Sequence, residues 1–254
     1  MLASNLMRAK IESGSFNPSN LASTIAWFDG SDATTLTYNG SNQVSSWVDK
    51  ISSIDVTRTA SSSVVYNVSG GYLTFDNSQT GLRNTSTRLG LGANPNIFIA
   101  AVLSVPTTAE HRFVTIGDVL ETGILAVSTD ISWRFNNGNW ITNEDVAINT
   151  NELLVWQRTA NSNYGASTGY LNGTQLTQSV STNPSNIPTN TTANFGIGNG
   201  FQNQSSDFDG DLYEIVICET TSSTDREKIE GYLAHKYGLD GNLPALHPYK
   251  STPP

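Results

Sequence analysis

Short apolar runs separated by polar, turn-forming residues make up most of the chain. Val44–Val48 alternates with the period of two expected of a half-buried strand, whereas Asn96–Ser104 is continuously apolar, as in a strand buried on both faces. Asn172–Gly173 stands between two alternating segments and predicts a tight hairpin. No long-period repeat is visible, which argues against a solenoid or propeller. The pattern predicts an all-β fold, a two-sheet antiparallel jelly-roll sandwich.

One helix is predicted near the end of the chain, over residues 225–237, after the apolar strand Leu212–Cys218. Thr224 and Glu227 have the spacing of a capping box, and Gly238 is a typical stop. The residues that fall on one helical face are Ile229, Tyr232, Leu233, Lys236 and Tyr237. We expect the strand to lie centrally in a sheet and the helix to pack on the sandwich.

The N-terminal segment differs in composition from the rest. Residues 1–20 do not have the pattern of a core strand, so they are interpreted as an arm that precedes a sandwich domain at residues 21–254. A frayed terminus is the alternative. Met1–Lys10 has no continuous apolar stretch, and no run approaches the length of a membrane helix. We therefore expect synthesis in a cytoplasm without a signal peptide, and no membrane insertion.

The charge balance excludes one class of partner. With 13 Lys and Arg against 22 Asp and Glu, the net charge is −9, and nucleic acid is not an expected partner because phosphates need basic residues. An anionic membrane surface is disfavoured for the same reason. Cys218 is the single cysteine, so no intrachain disulfide can form. It ends an apolar strand and is predicted to be a core residue.

Several short motifs in a fixed order resemble a known family. The motifs are Trp27–Asp32, Val44–Lys50, Leu73–Asp76, Tyr170–Gly173, Phe195–Gly198, Phe208–Ile217, the C-terminal helix and the close Leu243–Tyr249. Together they resemble the concanavalin A-like, laminin G-like jelly roll, in the variety found in bacterial surface proteins and in decoration, fibre and tail proteins of bacteriophages. The resemblance spans roughly residues 21–250 and implies a concave two-sheet sandwich that binds carbohydrate or protein.

The function expected from this resemblance is that of a non-enzymatic protein on the surface of a bacteriophage virion, in the head decoration or in a fibre or tail. Residues 1–20 would contact other virion proteins, and a homo-oligomer, with a trimer favoured, is expected. Adhesion to host-surface glycans is compatible with this role. The alternatives are a carbohydrate-binding module of a bacterial surface protein and a glycan hydrolase.

Catalytic residues are not predicted. Glucanases of this fold place two carboxylates on one strand in a Glu-x-Asp-x-x-Glu run, which the sequence does not contain. Glu144 and Asp145 are adjacent and would face opposite ways on a strand. Glu214 lies in an apolar strand and resembles the structural acid of the family. His111, His235 and His247 have no partners in the sequence that would suggest a triad or a zinc site, and are interpreted as structural.

Two acidic clusters are candidates for a calcium site, because calcium prefers hard oxygen ligands. Asp29 and Asp32 form the first cluster. Asp207, Asp209 and Asp211 form the second, within what reads as a loop before the last strand. The alternative for both is that the aspartates cap the backbone of their own turns. Calcium is the one cofactor that the sequence suggests.

One tryptophan is the candidate for carbohydrate binding. Trp27, Trp47 and Trp156 lie in apolar alternation and are predicted to be core residues. Trp140 follows the turn-rich segment 134–139, so it is predicted to be exposed, with the amides of Asn136, Asn137 and Asn139 beside it. An aromatic face with neighbouring amides suits a sugar ring. A core or interface position for Trp140 is the alternative.

Overall fold

A computed structural model describes residues 16–58, 63–76, 81–92, 94–107, 110–117, 120–125, 130–135, 138–182, 193–198 and 207–254. The strands in the first half are β1 (Thr24–Asp29), β2 (Leu36–Tyr38), β3 (Val44–Val48), β4 (Asp55–Arg58), β5 (Val65–Asn67), β6 (Tyr72–Asp76), β7 (Leu82–Asn84), β8 (Ile97–Ser104) and β9 (Glu110–Ile116). Those in the second half are β10 (Leu120–Leu125), β11 (Asp130–Phe135), β12 (Gly138–Asp145), β13 (Glu152–Arg158), β14 (Thr168–Leu171), β15 (Thr174–Gln175), β16 (Gln178–Thr182), β17 (Phe195–Ile197) and β18 (Asp209–Cys218). The α-helix is α1 (Ser223–Tyr237), and short 3-10 helices lie at Pro18–Asn20, Ala33–Thr35, Tyr164–Ala166 and Asp240–Asn242.

The strands form two antiparallel sheets, as predicted. Sheet I has the order β15-β14-β13-β8-β18-β6-β5, and β1 also pairs with β18. Sheet II has the order β16-β12-β11-β10-β9-β17-β7-β4-β3-β2. β18 is central, because β8 pairs along one edge while β6 and then β1 pair along the other. The predicted central position of this strand is confirmed.

The continuous apolar run in β8 is explained by burial on both faces. Ile99 and Leu103 point into the core between the sheets, whereas Phe98 and Val102 contribute to a second core under the helix. Strands covered on both faces need apolar residues at every position. The same reasoning applies to the end of β18, where Cys218 is fully buried, and the prediction that this cysteine is a core residue is confirmed.

Helix α1 covers the outer face of sheet I. Ile229 and Leu233 are fully buried there, and the Tyr232 ring makes an edge contact with the Trp27 indole, with centroids 6.2 Å apart. Gly238 ends the helix with φ of 69°, as predicted. The predicted N-cap was wrong. The cap is Ser222, whose hydroxyl accepts the Asp225 N–H, and it lies two residues before Thr224.

The described part of the predicted N-terminal arm, residues 16–20, contacts the sandwich domain. The Phe16 ring makes an edge contact with Tyr232, with centroids 6.3 Å apart, and Pro18 is buried. The Phe16 N–H donates to the Pro254 carbonyl at 3.4 Å, so the two described ends of the chain meet beside α1. Residues 1–15 lie outside the described part of the chain.

Two local predictions fail and one is confirmed. The segment 179–191 reads as a loop, but its start belongs to β16, which pairs with β12 at a sheet edge. The aspartates of the predicted loop before the last strand are partly in β18, which begins at Asp209. The hairpin at Asn172–Gly173 is confirmed, since both residues have positive φ, 50° and 77°. In the described ranges, helix length and hydropathy rule out a membrane-spanning helix.

Candidate functional site

A cleft of about 370 Å³ lies where the edges of the two sheets meet. β15 is the edge strand of sheet I, β16 is the edge strand of sheet II, and the chain passes from one to the other here. The lining residues are Trp140, Ser167, Thr168, Gln175, Leu176, Thr177 and Gln178. Trp140 comes from β12 of sheet II, Thr168 is the first residue of β14 in sheet I, and Ser167 directly precedes it. The cleft therefore depends on the docking of one sheet on the other.

Local sequence positions the side chains of the cleft. The Asn172–Gly173 turn folds β15 back on β14, and the Leu176 N–H donates to the Gly169 carbonyl at 2.9 Å. Leu176 is buried in the core between the sheets, which fixes the polar residues on either side of it at the surface. On the other wall, Trp140 lies opposite Ser181 in the β12–β16 pair.

Two lining side chains carry a buried polar atom without a hydrogen-bond partner. These atoms are Nε1 of Trp140 and Oγ of Ser167, in residues that are 1% and 4% exposed. A buried polar group left unpaired costs about 1–3 kcal/mol, so most such groups in proteins have a partner. Two at one cleft make it a candidate site for a ligand that supplies hydrogen-bonding groups.

A carboxylate supports the rim of the cleft. Glu144 Oε1 accepts the Thr177 N–H at 3.3 Å, and Glu144 Oε2 is buried without a partner. The residues that line the cleft are themselves uncharged: an indole, hydroxyls, primary amides and one leucine. Such a surface can donate and accept hydrogen bonds but does not attract a charged ligand.

The prediction that Trp140 is exposed was wrong, and the alternative of a core position describes it. Trp140 is 1% exposed and belongs to the core between the sheets, because its strand faces sheet I at this point. Asn139 lies in β12 opposite Arg134 and Thr182. Asn136 and Asn137 lie outside the described residues.

The sequence reading missed the other cleft residues. Gln175 lies in the predicted hairpin, but the sequence pattern assigns no binding role to it or to Ser167, Thr177 and Gln178. The usable signal was the polar stretch around the Asn172–Gly173 hairpin, since a short edge hairpin places polar side chains at the surface. Trp27, Trp47 and Trp156 are buried, as predicted.

The first predicted calcium cluster contains a lysine. Lys50 Nζ is 3.2 Å from Asp29 Oδ2 and 2.8 Å from Asp32 Oδ2, so an ammonium lies where the two carboxylates converge. Asp32 Oδ1 also accepts the Thr34 N–H at 3.2 Å and caps the 3-10 helix that follows. Asp32 therefore caps the backbone of its own turn, which was the alternative to calcium binding. The positive charge beside the two carboxylates is the Lys50 ammonium.

The three aspartates of the second predicted calcium cluster are not grouped as metal ligands. Asp211 Oδ1 accepts the Thr74 hydroxyl at 2.7 Å within sheet I, while the backbone of Asp207 forms an isolated parallel β-bridge with that of Arg112. Asp209 pairs with Asp76 at the end of β18. Over the described ranges, no three His, Cys, Asp or Glu side chains are grouped so that they could hold a metal ion.

A buried cluster of charges joins β1, β18 and α1. Glu214, fully buried, accepts the Trp27 indole N–H at 2.6 Å and the Tyr237 hydroxyl at 2.7 Å, and it contacts Lys236. Burial raises the pKa of Glu214 above its ordinary value, although Lys236 opposes the shift. The internal hydrogen bonds expected for an acid in this apolar strand are therefore present.

Asp29 belongs to the same cluster and titrates in the opposite direction. Burial raises its pKa, but the nearby Lys236 ammonium, together with hydrogen bonds from Lys236 and Ser31, lowers the pKa below the ordinary 3.8. Asp29 is therefore held as a carboxylate beside Glu214, whose charged form is disfavoured. The pKa of Asp29 is thus lowered and that of Glu214 raised, so Glu214 binds a proton more readily than Asp29 does.

Two histidines have structural partners in the tail. His247 Nε2 lies 3.2 Å from Glu230 Oε2, which also accepts from Arg226 at 2.5 Å. His235 Nε2 lies 2.8 Å from the Tyr249 carbonyl oxygen. Both contacts tie α1 to the residues that follow it, which confirms the structural interpretation of these two histidines. The side chain of His111 is outside the described part of the chain.

Comparisons with known proteins show the fold and no closer relationship. No family model matches the chain, and no curated protein matches its sequence. Trypanosoma rangeli sialidase in complex with sialic acid matches with a TM-score of 0.51 and 13% identity, over 81% of this chain and 32% of the sialidase. A structure of botulinum neurotoxin type C matches with a TM-score of 0.56 and 10% identity, over 87% of this chain and 53% of the toxin chain.

These similarities concern the fold. The chain is a β-sandwich of two antiparallel sheets with one helix packed on the outside. It spans about a third of the sialidase and about half of the toxin chain. At such low identity the similarity concerns the fold, so function has to be argued from the cleft.

Proposed function

We propose that the chain is a non-catalytic, glycan-binding sandwich domain whose binding site is the cleft between the edges of the two sheets. One observation carries the proposal: the unpaired Trp140 Nε1–H and Ser167 hydroxyl at a single polar cleft. Sugar hydroxyls both donate and accept hydrogen bonds, so a bound sugar would supply partners for both atoms. The amides of Gln175 and Gln178 add donors and acceptors at the rim.

The fold similarities support this proposal. One similar structure is a sialidase in complex with sialic acid, and the other is described by the dependence of cell entry on interaction with two ganglioside molecules. Both concern carbohydrate ligands on proteins that contain this kind of sandwich. Glycan binding by this chain would therefore match the ligands named for two proteins of similar fold, while the cleft residues indicate where the ligand binds.

The electrostatics of the cleft favour a neutral sugar over an anionic one. The lining residues carry no ammonium or guanidinium group. The nearest charge in the hydrogen-bond network is the Glu144 carboxylate behind Thr177, which would repel an acid. We therefore expect hexoses or their N-acetylated forms to bind better than sialic or uronic acids.

A binding role also fits the distribution of acids better than hydrolysis does. Glycosidases of the common type use two carboxylates on either side of the scissile bond. Glu144 is hydrogen-bonded to a cleft residue, whereas the adjacent Asp145 is exposed at the end of β12. We infer that the domain binds without cleaving, and incubation with a bound polysaccharide should release no new reducing ends.

A glycan array followed by calorimetry on the best ligand tests the proposal. Trp140→Phe removes the indole N–H and keeps an aromatic ring, and Ser167→Ala removes the hydroxyl. Each should weaken binding about three- to tenfold, the effect of losing one hydrogen bond. Trp47→Phe is the matched control, because Trp47 Nε1 is also buried and unpaired but lies outside the cleft.

Two results would contradict the glycan proposal. The first is an array without any bound neutral glycan. The second is a bound glycan whose affinity is the same for wild type, Trp140→Phe and Ser167→Ala. Thermal melts of all three variants ensure that a loss of affinity is not a loss of fold.

As a finer assignment, we propose that the domain lies on the surface of a bacteriophage virion. The ordered motifs support this assignment. Residues 1–15 would then contact other virion proteins, and the domain would associate as a homo-oligomer, with a trimer favoured.

Deletion of residues 1–15 tests the virion assignment. The variant keeps Phe16 and Pro18, so the sandwich should fold with an unchanged melting temperature, while incorporation into particles should be lost. Light scattering of the full chain tests the trimer. Normal incorporation of the shortened chain would contradict the anchoring role of this segment.

A further inference from the structure

Three side chains from three different elements meet in the buried cluster beneath α1. Asp29 of β1 and Glu214 of β18 are directly opposite partners in an antiparallel pair. Lys236 of α1 reaches between them, with Nζ 2.7 Å from Asp29 Oδ1 and 2.5 Å from Glu214 Oε2. Two acids directly opposite each other on neighbouring strands destabilise a sheet unless a cation or a proton separates them.

The three groups are nearly excluded from water. The side chains of Asp29, Glu214 and Lys236 are 6%, 0% and 13% exposed. Aromatic rings surround the ammonium, with the Tyr237 centroid 5.3 Å and the Tyr232 centroid 5.5 Å from Nζ. An amine, a carboxyl group and a second carboxyl group are therefore held together in a dry, rigid site.

We propose that Lys236 and Asp29 condense to an intramolecular amide, and that Glu214 is the catalytic acid–base. Nζ of Lys236 forms a bond to Cγ of Asp29, and the Cγ–Oδ1 bond breaks. Of the three ammonium protons, one stays on the amide nitrogen and two leave with Oδ1 as water. Glu214, as a carboxylate, first takes one proton from Lys236 Nζ, which frees the nitrogen lone pair to attack Cγ. It then gives this proton to Oδ1, and the second proton follows the same path, so Oδ1 leaves as water and the reaction needs no other reactant.

The geometry assigns roles to the neighbouring groups. Lys50 Nζ lies 3.2 Å from Asp29 Oδ2, so the oxygen that carries negative charge in the tetrahedral intermediate has a cation beside it. Burial raises the pKa of Glu214. Its carboxylate is therefore a stronger base than an ordinary glutamate, and it can take a proton from the amine and pass it to the leaving oxygen. Fixing the amine against the carboxyl group replaces a slow bimolecular encounter with an intramolecular one.

The amide would join distant parts of the chain. Asp29 and Lys236 are 207 residues apart in sequence, and they belong to strand β1 and helix α1. A covalent bond across so long a loop restricts the unfolded chain strongly, as a disulfide does. A sandwich without a disulfide would gain a covalent closure that reducing agents do not break.

Intact-mass spectrometry of the purified full chain tests the proposal directly. The wild type should be one water lighter than its sequence, and tandem spectra should show a branched peptide joining Asp29 and Lys236. Lys236→Arg keeps the charge but cannot form the amide, so it should have its full sequence mass. Lys228→Arg is the matched helix control and should remain one water lighter than its own sequence.

Two further variants separate the roles. Glu214→Gln should fold, as checked by circular dichroism, and keep its full mass because the proton carrier is gone. Asp29→Asn should release ammonia instead of water and give a product of the same mass as the wild-type product. A wild-type protein that keeps its full sequence mass after prolonged incubation would overturn the amide. A Glu214→Gln variant whose mass is one water below its sequence mass would overturn the role of Glu214.

Discussion

Gly231 and Tyr249 are in such close contact that a Cβ at position 231 would lie 2.4 Å from the Cβ of Tyr249. Glycine in a helix interior costs roughly 1 kcal/mol relative to alanine. Its presence in the middle of α1 is explained by the tail, which crosses the helix at this point. Tyr249 is held there by its own backbone, since its N–H donates to His247 Nδ1 at 3.2 Å and its carbonyl contacts His235.

Gly231→Ala should therefore destabilise the protein. The steric conflict with Tyr249 should outweigh the gain in helix propensity and leave a net loss of about 1–2 kcal/mol. Urea unfolding measures the change. Gly241→Ala is the control, because a Cβ at position 241 meets nothing within 4 Å, and it should change stability by less than about 0.5 kcal/mol. Equal effects of the two substitutions would contradict the role of the tail.

Ser222→Ala should cost more stability than Thr224→Ala. Ser222 caps α1 by accepting the Asp225 N–H at 3.3 Å, and loss of such a cap typically costs about 1 kcal/mol. Thr224 is exposed in the first turn, where alanine is a better helix former, so its replacement should be neutral or slightly stabilising. Denaturant midpoints of the two variants settle the comparison. A larger loss of stability for Thr224→Ala than for Ser222→Ala would show that Thr224 is the N-cap, as the sequence predicts.

Much of the fold could be predicted because the relevant signals are local. The apolar run of β8, the hairpin at Asn172–Gly173 and the stop at Gly238 each follow from a few adjacent residues. The cap was misplaced because Ser222 and Thr224 both precede plausible helix starts, and only the backbone shows which hydroxyl meets a free N–H.

The site was harder to predict because it depends on how the two sheets dock. Trp140 and Ser167 come from different sheets, and no sequence pattern states that they share a cleft. The buried cluster of charges beneath α1 was hard to predict for the same reason, since its members come from different elements. Lys236 was placed correctly on the buried face of α1, but its partners Asp29 and Glu214 lie far away in sequence and were assigned to separate roles.

Stability should depend on pH through Glu152. Burial raises the pKa of this carboxyl group above the ordinary 4.5, against one opposing hydrogen bond from the Ala147 N–H. A raised pKa means that the stability associated with the protonated form is fully present below pH 4.5 and is lost as pH rises through the folded-state value. Glu152→Gln should therefore be more stable than wild type at pH 7.

The same variant should lose this advantage in acid. Below pH 4.5 the wild-type carboxyl group is neutral in both states, so the two proteins should unfold at similar urea concentrations. Glu219→Gln, at an exposed position, is the control and should follow wild type at both pH values. A constant difference between Glu152→Gln and wild type across the pH range would show that packing, not ionisation, is responsible.

Calcium should not stabilise the domain through Asp29 and Asp32. The Lys50 ammonium already lies between the two carboxylates, at 3.2 and 2.8 Å, and calcium would have to displace it. The melting temperature should be the same in calcium chloride and in EDTA. A calcium-dependent increase that Asp32→Asn abolishes would contradict this expectation and return the cluster to the candidate metal sites.

Cys218 should resist alkylation in the folded protein. It is fully buried between sheet I and α1, and its Sγ lies 3.5 Å from the Thr24 hydroxyl. Burial also raises the pKa of the thiol to about 12, so little thiolate is present near neutrality. Iodoacetamide at pH 8 should leave the native chain unmodified and add one label after denaturation in urea, as read by intact mass.

Loosening the helix should expose this cysteine. Leu233 is fully buried in the same cluster as Cys218, and Leu233→Ala should cost about 2–5 kcal/mol. If α1 covers the thiol, the variant should be alkylated much faster than wild type under conditions in which both remain folded. The control is Thr224→Ala, which leaves the covered face unchanged. Rapid labelling of the wild type, or equal rates for Leu233→Ala and Thr224→Ala, would show that the helix does not control access to Cys218.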